Sequence, residues 1–210
     1  MAAVLSSVQQ SLASRVTDRT DSDIGSRVAA SVGFLGLAAR LVSPALGVLA
    51  GSGVLPDLGW AGLWWRRGTG AQLSLAAGGV RGSAVTGLDA MIEPAGVAAA
   101  VQMAIRPVLD LGGVVADRYG VSQQIIRGNV ASAVFGAATV IAVGAAAKAD
   151  PRVGDRVGRL AADLLAQPEL SGAGSIGSSG LRPAFHRRSC CLLYRVPGTQ
   201  LCGDCILHLR

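Results

Sequence analysis

All four cysteines of this 210-residue chain fall in one stretch near its C-terminus, RRSCCLLYRVPGTQLCGDC, residues 187–205. Cys190, Cys191, Cys202 and Cys205 follow the spacing C-C-x10-C-x2-C. A chain of this length buries enough apolar surface to fold without staples, so the quartet asks for a chemical explanation rather than a stabilising one. The N-terminal residues MAAVLSSVQQSLASRVTDR lack the basic start and long apolar run of a secretory signal, and the expected location is the cytoplasm. In a reducing compartment clustered thiols are more often metal ligands or redox groups than disulfides.

Upstream of the cysteines the composition describes close helix packing. Half of the residues are hydrophobic, 15% are charged and 4% are aromatic, while 29 are Gly. That texture points to a mainly α-helical body rather than a large β-sandwich. The formal charge is +6, but the 19 basic residues are scattered instead of forming a run with interleaved aromatics, and no nucleic-acid partner is expected.

Periodicity and breakers divide the chain further. A leading helix is expected over residues 1–17, and Asp21, Ser22 and Asp23 offer N-caps for a second through RVAASVGFLGLAARLV, with Ser43-Pro44 ending or restarting it. All three Trp residues lie in PDLGWAGLWWRRGTGAQLSLA, whose LWWR and QLSLA halves flank a Gly-containing turn and predict a small β-hairpin over about 63–76. Further helices are expected from Met91 to Tyr119, bent or broken at Pro107, from Ser122 to Lys148, and from Arg152 to Ala166. The resulting division is a helical body over 1–167, a Gly/Ser-rich connector over 168–183 and a cysteine segment over 184–210.

The uncharged stretch 130–147 is long enough to raise a transmembrane reading. Its Ala and Gly insert weakly and no aromatic belt flanks it, so it reads as a buried core helix. Peripheral contact with the inner membrane face stays compatible with the sequence.

Four thiolates suit a structural zinc or an iron–sulfur cluster, and spacing leaves both open. Zinc modules usually bring ligands as two C-x2-C knuckles, whereas Cys190 and Cys191 are adjacent. Neighbouring side chains of an extended strand point to opposite faces, so this pair converges only if the backbone turns sharply there. Gly203, between Cys202 and Cys205, is expected to use positive φ to aim both sulfurs inward, and Pro197-Gly198 to supply a turn. A [2Fe–2S] core with four thiolates carries about −2 when oxidised and about −3 when reduced. His186, Arg187, Arg188 and Arg195 stand beside it in sequence, and nearby cations favour the reduced state.

The segment RRSCCLLYRVPGTQLCGDC resembles the C-terminal signature of the FhuF-like ferric-siderophore reductases, a [2Fe–2S] family. Upstream, RVAASVGFLGLAARLVSPALG, LPDLGWAGLWW and RGNVASAVFGAA are similar to other parts of such proteins. One departure is Arg127, where that resemblance leads one to expect an aromatic residue. The resemblance implies that Cys190, Cys191, Cys202 and Cys205 all ligate the cluster. It also implies an iron–sulfur oxidoreductase that passes single electrons from an external donor to a ferric siderophore, releasing Fe(II). Fe(III) is held strongly by hard oxygen ligands and Fe(II) far less so, which makes reduction the release step. Arg187, Arg188, Tyr194, Arg195 and Gly203 are candidates to surround the cluster, with Tyr194 shielding it from solvent.

Other readings are blander. His186 and His208 are not needed as ligands if four thiolates complete the set. Trp60, Trp64 and Trp65 are expected to pack the hairpin on the helices. GGVRGS at 78–83 lacks the strand–helix context of a nucleotide-binding turn and reads as a loop. No hydrolytic constellation is present in the sequence. The competing function classes are a non-enzymatic iron–sulfur carrier or redox sensor, and a zinc-stapled structural protein.

Overall fold

The computed structural model describes residues 25–58, 63–67, 73–78, 81–85, 94–179, 182–196 and 198–209. The expected leading helix at 1–17, the caps at Asp21 to Asp23, and Trp60 lie outside them. Helix α1 spans Ser26–Ser52, strands β1 Val54–Pro56, β2 Leu63–Arg67, β3 Leu73–Ala77 and β4 Gly82–Ala84 follow, and then come helices α2 Pro94–Tyr119, α3 Gln123–Ala142, α4 Ala145–Ala149 and α5 Pro151–Ala166. The chain ends with strands β5 Gly174–Ser179 and β6 Arg182–Arg187 and two short 3-10 turns, Leu193–Arg195 and Ile206–Leu209. The fold is mainly α, as the composition predicts.

Helices α1, α2, α3 and α5 pack around one core, and α1 has its most extensive contact with α3. In α1 the buried positions Phe34, Ala38, Val42, Leu46 and Leu49 recur at three- and four-residue spacing, the signature of one helix face turned inward. Ile126, Val130, Val134 and Ala137 do the same in α3, and Val153, Val157, Leu160 and Leu164 in α5. Small residues in these rows let backbones approach, while each fully buried Leu or Val contributes about 1.5–3 kcal/mol over leaving it in water.

Two of these helices, Ser26–Ser52 and the continuation Gln123–Ala149, are long and apolar enough to cross a membrane by length and composition. In this fold each presents its inward face to its neighbours, which is also how the core helix of a water-soluble bundle behaves.

Prolines are accommodated where the sequence predicts breaks. Helix α1 runs through Pro44, and α2 through Pro107. Pro44 sits on the exposed face of α1, and the carbonyl its missing N–H frees belongs to Arg40, also exposed, so solvent reaches it. The α3 helix stops six residues short of the expected Lys148: Gly144 takes an extended conformation and separates α3 from α4. Asp150 caps α5 by accepting from the Arg152 amide, with Pro151 at the first helical position.

The predicted hairpin is present as β2 paired antiparallel with β3, Trp65 facing Leu75. Leu63 and Leu75 pack on the core, but Trp64 and Trp65 are 70% and 53% exposed rather than buried against the helices. A second ribbon, β1 with β4, was not anticipated and takes in the end of the GGVRGS loop. Residues 168–183, read as a connector, instead carry β5, which pairs with β6 from Gly174 opposite Arg187 to Ser179 opposite Arg182. The small residues have a packing use: a Cβ on Gly174 would meet the Phe185 ring at 2.3 Å. Phe185 is buried and stacks on Phe135 of α3 at 5.7 Å between centroids, fastening the hairpin to the bundle.

Candidate metal centre

The β5–β6 hairpin delivers the chain to the cysteines. The Arg187 amide donates to the Asp204 carbonyl at 3.0 Å, so the last residue of β6 lies alongside the Cys202–Cys205 loop. The sharp turn required by the adjacent pair is supplied by Leu192, the one non-glycine residue with positive φ among those described, at φ 70°. Its amide donates to Cys190 Sγ at 3.3 Å, folding the loop back on the first thiol. A left-handed non-glycine residue costs about 1–2 kcal/mol, and Leu192 is held there by burial at 7% exposure. The loop is closed by the Thr199 hydroxyl, which donates within 2.8 Å of the Leu193 and Val196 carbonyls.

Gly203 does not use the left-handed region. The Cys202–Cys205 turn closes with the Cys205 amide on the Cys202 carbonyl at 3.0 Å and asks no positive φ of its central residues. The positive-φ glycine of the segment is Gly198, at 72°; its neighbour Pro197 is outside the described residues.

Cys191 and Cys205 are each 1% exposed, and Cys190 and Cys202 half-buried. The thiols stand as two pairs. Cys191 and Cys202 have their sulfurs 3.5 Å apart, and Cys190 is in hydrogen-bonding contact with Cys205. Among the described residues no group of three or more His, Cys, Asp or Glu side chains converges as a mononuclear metal cage would require. Hydrogen bonding with Cys202, the Leu193 amide and the charge of Arg187 pull Cys191 down to about 6, although burial opposes them. The same hydrogen bond, with burial, pushes Cys202 far up. Burial raises Cys190 to about 11.

Around the thiols the protein is polar and buried. Arg187 is 1% exposed. Its Nη2 donates to Asn129 Oδ1, a short bond between two buried groups. Asn129 Nδ2 donates to the Ser31 carbonyl at 2.9 Å, and the Ser31 hydroxyl donates to the Cys191 carbonyl at 2.8 Å. A polar chain thus runs from β6 through α3 and α1 to the cysteine loop. Gly128 makes room for it: a Cβ there would sit 2.1 Å from Ser189 Oγ and 3.3 Å from Arg187 Nη2. Asp204 is tied to α3 by a short hydrogen bond from Ser132.

Arg127 has a separate task. Its guanidinium donates to the carbonyls of Glu169, Pro168 and Ser171 at 2.6 to 2.9 Å, clasping the chain where it leaves α5. The remaining candidates lie further out. Arg188 is exposed; Tyr194 is 44% exposed and accepts from Arg195 Nε at 3.2 Å. Leu192 and Val196, both buried, give the loop its apolar cover. His208 Nε2 lies 3.0 Å from the Cys202 carbonyl. Asn129 and Ser31, which sequence reasoning did not single out, connect the site to the bundle. The only textual trace of that role is the RGN step that opens the apolar part of α3.

The donor set fits an anionic sulfur-bound group. Nε and Nη1 of Arg187, Ser189 Oγ and His186 Nδ1 are buried without a hydrogen-bond partner, and native proteins seldom leave buried donors unmatched. A cavity of about 430 Å³, lined by Arg40, Pro44, Val48, Leu63, Leu75 and Arg81 among others, includes no residue of this segment.

Residues 187–205 match the family model described as the FhuF 2Fe-2S C-terminal domain. The resemblance drawn from the sequence is thereby supported over the cysteine segment, and the group for which that domain is described is a [2Fe–2S] cluster. Neither curated proteins nor solved structures give a match to the chain.

Proposed function

We propose that the protein is a ferric-siderophore reductase whose Cys190, Cys191, Cys202 and Cys205 hold the [2Fe–2S] cluster. The observation that carries this reading is the match of residues 187–205 to the FhuF 2Fe-2S domain. The two-and-two arrangement of thiols supports the ligand set, because each iron of such a cluster takes two cysteines. When bound, the cluster supplies one-electron transfer.

The chain's own residues do the rest. Thiolate ligation is eased at Cys191, which its hydrogen bond with Cys202 draws down to about 6. Amides at Leu192 and Leu193 point N–H dipoles at Cys190 and Cys191, stabilising negative charge on sulfur. Leu192 and Val196 keep water from one side, while half-buried Cys190 and Cys202 leave the other side closer to solvent, where a donor and a ferric chelate approach. The substrate is Fe(III) bound by hard oxygen donors; one electron converts it to Fe(II), which those donors hold weakly. The donor is an external protein or reductase, and the expected setting is the cytoplasm.

The test begins with protein purified without oxygen, which is expected to be brown with two irons and two sulfides per chain. Dithionite-reduced protein mixed with a ferric hydroxamate or catecholate siderophore is expected to reoxidise as a chelator captures Fe(II). A chain that binds zinc without sulfide, or a reduced cluster that stays reduced with every siderophore offered, overturns the proposal.

A further inference from the structure

Arg187 is the one charged side chain buried among the described residues, and its hydrogen bonding is incomplete. Burying a cation without a partner is costly enough that proteins pair it, bind an anion beside it or lose the charge. No carboxylate lies within ion-pair distance of Arg187 among the described residues. Nη2 is satisfied by Asn129, whereas Nε and Nη1 reach no acceptor. A guanidinium does not deprotonate in a protein, so an anion beside Nε and Nη1 would match both the buried charge and the free donors.

The position of that anion is bracketed from both sides. The backbone of Arg187 is bonded to Asp204, next to Cys205, and the Asn129–Ser31 pair that grips the guanidinium also grips the Cys191 carbonyl. Gly128 leaves the guanidinium the space to lie flat against α3, and the fixed Asn129 contact aims it rather than letting it swing out to water. Arg188 and Arg195, the neighbouring cations, are exposed and lack this confinement. Asp204, the nearest opposite charge in sequence, has its carboxylate engaged by Ser132.

Resting on the reading that the cysteines hold a [2Fe–2S] cluster, we propose that Arg187 is a positioning residue of that centre, donating from its unmatched Nε and Nη1 to the cluster's sulfur atoms. Asn129 and Ser31 fix its aim. A cation held this close without solvent screening stabilises the more negative, reduced cluster and raises its potential.

Labelling the protein with ¹⁵N-arginine and recording pulsed EPR of the reduced, cluster-loaded chain tests this directly. A guanidinium ¹⁵N coupling is expected in the wild type and in Arg188→Gln and Arg195→Gln, and is expected to vanish in Arg187→Lys. In redox titrations Arg187→Gln is expected to lower the reduced-to-oxidised ratio at fixed ambient potential at least tenfold, about 59 mV for a one-electron couple, with Arg188→Gln changing it less than threefold. A loaded wild-type protein with no arginine coupling, or an Arg187→Gln ratio within threefold of wild type, overturns the assignment and leaves the cluster reading intact. Should Arg187→Gln fail to assemble, the wild-type and Arg188→Gln spectra decide. Wild-type protein that takes up no iron and sulfide overturns the cluster reading, and this assignment with it.

Discussion

The helical bundle and the cysteine tail are held by opposite kinds of interaction. Between α1, α3 and α5 the interior is Ala, Val, Leu and Phe in helical register, and each element satisfies its backbone by itself. From Arg187 to Cys205 there is little regular structure, one residue in a strained left-handed conformation, a buried cation with two unmatched donor nitrogens and four thiols in two pairs. The bundle is complete as it stands, because apolar burial needs no further partner. The tail as folded leaves buried donors of Arg187 and Ser189 unmatched, and buried donors without partners are unfavourable. The two regions meet at Gly128, Asn129 and Ser31, where α3 and α1 turn polar for the space of a few side chains.

The contrast is broken most severely by comparing iron- and sulfide-loaded protein with the metal-free chain by amide hydrogen exchange. Amides of 187–205 are expected to exchange on the order of a hundredfold faster without the cluster, a local loss of about 2.8 kcal/mol. Amides of α1 and α3 are expected to be unchanged. Equal acceleration in both regions refutes the division.

A smaller effect separates two glycines of one helix. Gly128→Ala puts a methyl into Ser189 and Arg187, and overpacking there is expected to cost about 1–3 kcal/mol in urea unfolding. Gly136→Ala, eight residues on, is exposed and meets nothing within 4 Å, so it is expected to stabilise by about 0.5–1 kcal/mol. Like-signed changes at both sites count against a junction built around a missing side chain.

The smallest effect is a titration. In the metal-free chain the thiolate absorbance of one cysteine is expected to rise as pH passes about 6, and to be absent from Cys191→Ser. The sign follows from a folded value below the ordinary thiol value of 9.0: the deprotonated form is favoured by the fold, a contribution present above 9.0 and lost as pH falls through 6. The raised value of Cys202 works against it at high pH, so absorbance rather than stability is the readout. A first thiolate appearing only near 9 means that Cys202, Leu193 and Arg187 do not lower Cys191.

Much of this molecule is legible in one dimension. The rows Phe34–Ala38–Val42 and Val153–Val157–Leu160 announce their helices because a buried stripe needs a residue every three or four positions. The β2–β3 ribbon shows in the LWWR and QLSLA alternation, and the cysteine spacing marks the tail for soft-metal chemistry. Pro44 misled, because whether it breaks a helix depends on which way its face points and how firmly the flanks are packed. The Gly/Ser run of β5 misled too, since nothing local says that Phe185 will need a surface without side chains.

The sequence by itself determined that the tail carries soft-metal donors and which stretches coil into helices, since donor atoms and hydrophobic period are properties of residue type and spacing. Only the tertiary structure decided that Arg187, rather than Arg188 beside it, is the buried cation, and that Asn129 and Ser31 belong to the site. Those choices depend on which side chain faces inward across contacts of 58 and 98 residues' separation, and burial across such distances is settled by packing, not by neighbours in the chain.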